Sequence, residues 1–317
     1  TVDEDGRPIN NPNTYDSFVL GFPFQDENVS QEGSANQITF GYGANFLHKI
    51  FVGGNLGIRT INFSSFKVYN EEFVNQPLAN SSLRESLFIN GTGVNVNLGM
   101  IYKPVDFVNL GFVFQSPTWL AMSEEYEAGM TATYNNYYFE QEDVTLGTEE
   151  AVTDLIISSY GINTPLKIGG GATFFFGKNG FISADVDYID YSRARISSND
   201  FNEGPDNQAI RDLYGSTLNY RLGGEAIVNK LRFRAGYSLL GDPFSNTSGI
   251  DQSTQILSGG VGIRFNTLSL DLSLNNQSYN TLYRSYQVFD DNGMNYGPVT
   301  EVNHSITSGI LTLGISF

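Results

Sequence analysis

From Thr307 to Phe317 the chain alternates strictly. Thr307, Gly309, Leu311, Leu313, Ile315 and Phe317 fall on one face of an extended strand, and Ser308, Ile310, Thr312, Gly314 and Ser316 on the other. A period of two sends successive side chains to opposite sides of a sheet, so this segment is made to be greasy on one side only. The same grammar recurs upstream. Leu268, Leu270, Leu272 and Leu274 alternate with Ser269, Asp271, Ser273 and Asn275, and Leu231, Phe233, Ala235, Tyr237 and Leu239 with Arg232, Arg234 and Ser238. Ile182, Ala184, Val186 and Tyr188 oppose Ser183, Asp185 and Asp187, and comparable segments reach back to Gln37. Short turns join these segments in pairs, at Asn266-Thr267, Asn229-Lys230, Gly177-Lys178-Asn179-Gly180, around Pro104 and Asp106, and at His48-Lys49. Every other connection is long and polar: Ser65 to Phe88, Glu124 to Asn163, Ser198 to Asp212, Gly241 to Ser253 and Phe289 to Thr300.

No run approaches the roughly 20 apolar residues that a membrane-crossing helix needs. Yet only 16% of residues are charged, 14% are aromatic, and the mean hydropathy is −0.20. That mixture is expected when alternate residues face lipid and a polar lumen. The expected fold class is therefore all-β, an antiparallel transmembrane β-barrel in the outer membrane of a Gram-negative bacterium. Short turns belong to the periplasm and long loops to the cell surface, which puts Phe317 in the periplasm. A final amphipathic strand ending on an aromatic residue resembles the signal by which the barrel assembly machinery recognises outer-membrane barrels, and Phe317 is expected to serve that role. About eleven strands are legible by alternation, whereas single-chain bacterial barrels have an even number. The expectation is accordingly that further strands and a signal peptide precede Thr1. Residues 1–36 read as an external loop or partial strand, and residues 37–317 as barrel.

Two hairpins carry a family resemblance. Gly91-Thr-Gly-Val-Asn-Val-Asn-Leu-Gly-Met-Ile-Tyr-Lys-Pro104, then Asp106 and Val108-Asn-Leu-Gly-Phe-Val-Phe-Gln-Ser-Pro-Thr118, resemble a recurrent hairpin of the FadL/TodX family of outer-membrane transporters. Ile182-Ser-Ala-Asp-Val-Asp-Tyr-Ile-Asp-Tyr-Ser192 is similar to that family's aspartate-bearing strand, and Leu222-Gly-Gly-Glu225 with Leu231-Arg-Phe-Arg-Ala-Gly-Tyr237 to its next hairpin. The resemblance implies a FadL-like barrel of about 14 strands when complete, about 11 to 12 of them here. It also implies an N-terminal hatch in the lumen, and uptake of long-chain fatty acids or other hydrophobic small molecules. The alternative from another class is a structural or docking barrel, a subunit of a larger outer-membrane protein complex that transports nothing.

If the face of Phe317 looks to lipid, the opposite faces form the lumen. Lys167, Asp185, Asp187, Arg221, Glu225, Arg232, Arg234, Arg264 and Asp271 fall there. They read as a ladder of ion pairs across neighbouring strands, or as a guide for an anionic head group. Inward positions also include Ile61, Phe63, Ile101, Val113, Phe175, Ile189 and Ile227, which suit packing against a plug or a path for a hydrophobic ligand. Tyr102, Trp119, Tyr126, Tyr188, Tyr191, Tyr220 and Tyr237 are expected in the aromatic girdles. The net charge of −17 argues against nucleic acid as a partner. Outer-membrane lipid and lipopolysaccharide are the expected surroundings; acidic loops such as Glu124, Glu125 and Glu127, or Asp290 and Asp291, read as solvated or as bridged to lipopolysaccharide by divalent cations. Two histidines and no cysteine leave no constellation for a thiolate or imidazole metal site, oxygen-ligand calcium sites in the loops stay open, and no cofactor is expected. His304, with Ser305 and Ser308 nearby, is a poor start for a hydrolase, and no enzyme activity is expected. The clusters Gly53-Gly54, Gly169-Gly170-Gly171 and Gly259-Gly260 precede no helix; they suit curvature or close approach rather than phosphate binding.

Overall fold

The computed structural model describes residues 23–140, 142–245, 249–265, 267–286 and 297–315. The strands are β1 (Phe24–Phe46), β2 (Ile50–Glu72), β3 (Leu78–Val105), β4 (Val108–Gln115), β5 (Trp119–Phe139), β6 (Val144–Val152), β7 (Ile156–Asn163) and β8 (Lys167–Phe175). They continue with β9 (Gly180–Asp190), β10 (Arg195–Ser198), β11 (Ser216–Val228), β12 (Leu231–Leu240), β13 (Thr254–Arg264), β14 (Leu268–Arg284) and β15 (Val299–Ile315). One helix, α1 (Gly204–Leu213), lies in the connection after β10, and Asn207 ties it down by bonding both backbone groups of Ile196. Among the described residues no helix is long and apolar enough to cross a membrane.

All fifteen strands join one sheet, in the order β10-β7-β5-β3-β4-β8-β9-β11-β12-β13-β14-β15, with β2 on β3, β1 on β2 and β6 on β5. Three interruptions explain the branching. Pro117, without an N–H, cannot continue a ladder, so β4 and β5 are two halves of one pass against β3. Ser116 closes the gap, its N–H donating to Val96 O and its hydroxyl accepting from Val96 N. Pro165 parts β7 from β8, and a 3-10 turn at Tyr191–Arg193 parts β9 from β10. With the halves joined, eleven passes and the short β6 remain among the described residues, in keeping with the alternation.

Two features depart from the sequence expectation. The first strand begins at Phe24 rather than Gln37, and the long connections are largely strand: β2 runs on to Glu72, β3 starts at Leu78, and most of 124–163 is β5, β6 and β7. The reason is physical. Backbone hydrogen bonds hold a ladder whatever its faces carry, and a stretch whose apolar residues are scattered among polar ones, as Phe63, Phe66 and Val68 are, carries no clean greasy alternation to read. The 28 residues of β3 span about 92 Å at roughly 3.3 Å per residue, whereas a bilayer needs only about 9–11 tilted residues.

The chain divides into two compact units. The first comprises Thr1–Gly33, Phe63–Phe88 and Glu124–Ile157. Polar pairs run through it beside exposed apolar residues such as Phe66 and Phe88: Lys67 Nζ lies 2.9 Å from Glu27 and 3.7 Å from Glu85, and Tyr126, expected in a girdle, donates to Glu85 Oε1 at 2.6 Å. The second comprises Ser34–Asn62, Ile89–Ser123 and Ser158–Phe317. In it, register carries one apolar row across five strands: Leu311 faces Leu272, Leu272 faces Val261, Val261 faces Phe233, and Phe233 faces Ala226. That face is open, with Leu311 70% and Phe233 47% exposed. The described buried hydrophobics amount to Leu120, Met122 and Ile189. A sheet with so small a core and so much apolar surface is unfit for water and suited to lipid. Tyr102, Trp119, Tyr188, Tyr220 and Tyr237 are exposed, and the register places the four tyrosines on the apolar face; Tyr191 belongs to the 3-10 turn.

Candidate functional site

The opposite face of the second unit gathers the charges. Paired Cα positions share a face, and the ladders place Lys167, Asp185, Asp187, Arg221, Glu225, Arg232, Arg234, Arg264 and Asp271 on the polar side. They form two groups. Asp187, 4% exposed, accepts from Lys167 Nζ at 3.0 Å and from Arg221 Nη1. Glu225 accepts from Arg232 at 2.6 Å and Arg234 at 2.7 Å, and Arg234 reaches on to Asp271 at 2.6 Å. Asp185 and Arg264 belong to neither group. Arg221 lies directly opposite Asp185 across the ladder, yet its guanidinium goes to Asp187 two residues along.

Aspartates of β9 lie flat over the neighbouring strand. A methyl group at Gly169 would collide with Asp187 Oδ1, and one at Gly171 with Asp185 Oδ1. The triple glycine therefore makes room for two carboxylates.

The apolar positions of the polar face are dispersed. Ile101 pairs with Gly111, Val113 with Gly169, Phe175 with Phe181, Ile189 with Lys167 and Thr217, and Ile227 with Arg232. Ile61 lies on β2 in the same unit, and Phe63 belongs to the first unit. A cavity of about 820 Å³ lies within the second unit, and of this set it takes in Ile101 and Val113. Phe51, Asn55, Asn97, Asp185 and Asp187 also line it, over a floor that includes Gly99, Gly111 and Gly171. Beside it runs an amide and hydroxyl chain that sequence reasoning missed. Asn97 donates to Asn55 at 2.7 Å and to Asn95 at 3.3 Å, while Asn95 donates to Thr118 at 3.2 Å and to Gln37 at 3.4 Å. Asn95 and Thr118 are each 1% exposed. Their positions on the polar side of the alternation were the available signal, but uncharged polar residues do not stand out in a chain rich in asparagine.

His304 stacks on Tyr279 with ring centroids 4.5 Å apart, and its Nε2 is 2.8 Å from Thr281 Oγ1. Among the described residues no group of three or more His, Cys, Asp or Glu is arranged to hold a metal. Phe317, Asn266, Asp290 and Asp291 lie outside the described residues.

Among solved structures, a FadL homologue from Pseudomonas aeruginosa matches with a TM-score of 0.55 at 15% identity, over 90% of this chain and 67% of that one. The monoaromatic hydrocarbon channel CymD gives 0.45 at 12% identity, over 93% and 88% of the two chains. The Pseudomonas putida toluene transporter TodX gives 0.44 at 11%, over 93% and 89%. No family model and no curated protein matches the sequence. The first likeness establishes the fold: the strands are those of a FadL-like antiparallel β-barrel.

Proposed function

We propose that this chain is a passive outer-membrane channel for hydrophobic small molecules, the class to which long-chain fatty acids belong. The apolar face of the sheet then meets lipid and the polar face lines a lumen. One observation carries the reading: the cavity of about 820 Å³ on the polar side is walled in part by Phe51, Ile101 and Val113. A water-filled pore gains nothing from apolar side chains there, whereas a hydrophobic ligand gains about 25 cal/mol for each Å² it buries. The FadL-like fold supports the same reading, as does the sequence resemblance. The ion-pair groups around Asp187 and Glu225 serve as a rigid polar wall in place of a dry core.

The test is binding of N-phenyl-1-naphthylamine, an uncharged fluorophore, to the barrel held in a non-ionic amphipol. Saturable binding is expected, weakened at least about tenfold by Val113→Trp, a loss of about 1.4 kcal/mol. Absence of saturable binding, or a Val113→Trp variant that binds as well as the parent, refutes the channel.

A second reading, the docking barrel of a larger complex, draws on the first unit. Its strand stretches carry ion pairs such as that of Lys67 with Glu27, and β3, which begins in it, is about three times as long as a bilayer requires. On that reading, deleting 124–157 abolishes capture of a protein partner and leaves fluorophore binding intact.

A further inference from the structure

We infer that the cavity selects amphipathic ligands whose polar end donates a hydrogen bond or carries positive charge, such as alkylamines and alcohols, and disfavours carboxylates. The inference rests on the channel reading and narrows its substrate class.

The cross-strand register sets the geometry. Ile101 of β3 pairs with Gly111 of β4, Gly111 with Gly171 of β8, and Gly171 with Asp185 of β9. Strands stand roughly 4.8 Å apart, so this row measures about 14 Å from end to end. Its two central positions have no side chain. Gly111 leaves open space, while the Asp185 carboxylate reaches over Gly171, so the row is a short trough with a greasy wall at one end and a carboxylate at the other. The open stretch from the carboxylate over Gly171 to Ile101 is about two strand spacings, or roughly 10 Å, the length of an extended chain of about eight carbons.

Charge decides which head is taken. Among the described residues, the only charged side chains lining the cavity are Asp185 and Asp187. Asp187 is occupied, since Lys167 and Arg221 both converge on its Oδ2. Asp185 is exposed to the cavity and, among the described residues, makes no ion pair. The one cation directly across the ladder from it, Arg221, is turned away to Asp187. A free carboxylate at the end of an apolar trough is an acceptor without a donor. An ammonium or hydroxyl group supplies one, while a ligand carboxylate brings like charge to a wall that holds no uncommitted cation.

Competition in the fluorophore assay tests this with three probes of equal length: octylammonium, 1-octanol and octanoate at neutral pH. The expected order is octylammonium, then octanol, then octanoate, with at least about tenfold between the first and last. Asp185→Asn is expected to bring octylammonium and octanoate within about threefold of each other. Asp185→Ser serves as a second variant, with fluorophore binding itself reporting that either protein is folded. Octanoate competing as well as octylammonium in the parent, or a preference that survives both substitutions, overturns the inference and leaves the channel standing. If the fluorophore itself fails to bind, the channel reading falls and takes this inference with it.

Discussion

Arg234 joins two acidic partners, Glu225 at 2.7 Å and Asp271 at 2.6 Å, and so ties β11 and β14 together through β12. Its side chain is 38% exposed, which allows solvent to screen part of the attraction. Truncating it also strands Asp271, for which no other ion pair is present among the described residues. Arg234→Ala is therefore expected to destabilise the barrel by about 1–2 kcal/mol in urea titrations in lipid vesicles. Arg264→Ala, which breaks no described ion pair, should cost less than about 0.5 kcal/mol. Equal losses from the two would deny the pairing any stabilising role. At this scale the sequence was half legible. Parity alone put all nine charges on one face, because position along a strand decides the face. Partner choice was not legible: Arg221 bypasses the aspartate opposite it for one two residues away, and that depends on rotamers and on the room left by Gly169 and Gly171.

The hairpin between β1 and β2 turns on Leu47 and His48, with φ of 52° and 56°, and closes with Lys49 N donating to Phe46 O at 3.0 Å. Two consecutive left-handed residues make a type I′ turn, which suits the twist of paired strands and favours Asn-Gly. Leucine there pays a steric cost at its Cβ, and at 91% exposure it recovers nothing by packing. Replacing the pair, Leu47→Asn with His48→Gly, is expected to stabilise the hairpin by about 1 kcal/mol, read as a higher urea midpoint. An unchanged or lower midpoint would show that the contact of His48 Nδ1 with Asn45 Nδ2 at 3.2 Å outweighs the strain. Short turns were readable from sequence because they sit between alternating segments, although this one centres on Leu47 and His48, one residue before the His48-Lys49 that the sequence suggests. The extensions of β2, β3 and β5 were not. Their Asn, Ser, Glu and Tyr residues serve equally well in a loop or in a strand that water covers on both sides.

At the level of the molecule, burial has to be read inside out. Leu272 and Ser273 are neighbours on β14, and the ladder sends Leu272 to the row of Leu311, Val261 and Phe233, and Ser273 to the side of Gly260 and Ile310. In a soluble sandwich the leucine row would be covered; here Leu272 is 45% exposed. If lipid covers it, a cation is costly at Leu272 and cheap one residue along, where the side chain meets the polar interior. Leu272→Arg is expected to lose about 2–4 kcal/mol of folding free energy in phospholipid vesicles, the depth-dependent cost of arginine near a bilayer midplane. Ser273→Arg should lose less than about 1 kcal/mol. Equilibrium guanidinium titrations followed by tryptophan fluorescence supply both numbers, since Trp119 is the sole tryptophan and stands at the start of β5. A reversal, with Ser273→Arg the worse of the two, would mean that the apolar row packs against protein and the polar face meets solvent. That result would remove the lumen, and with it the site built around Asp185.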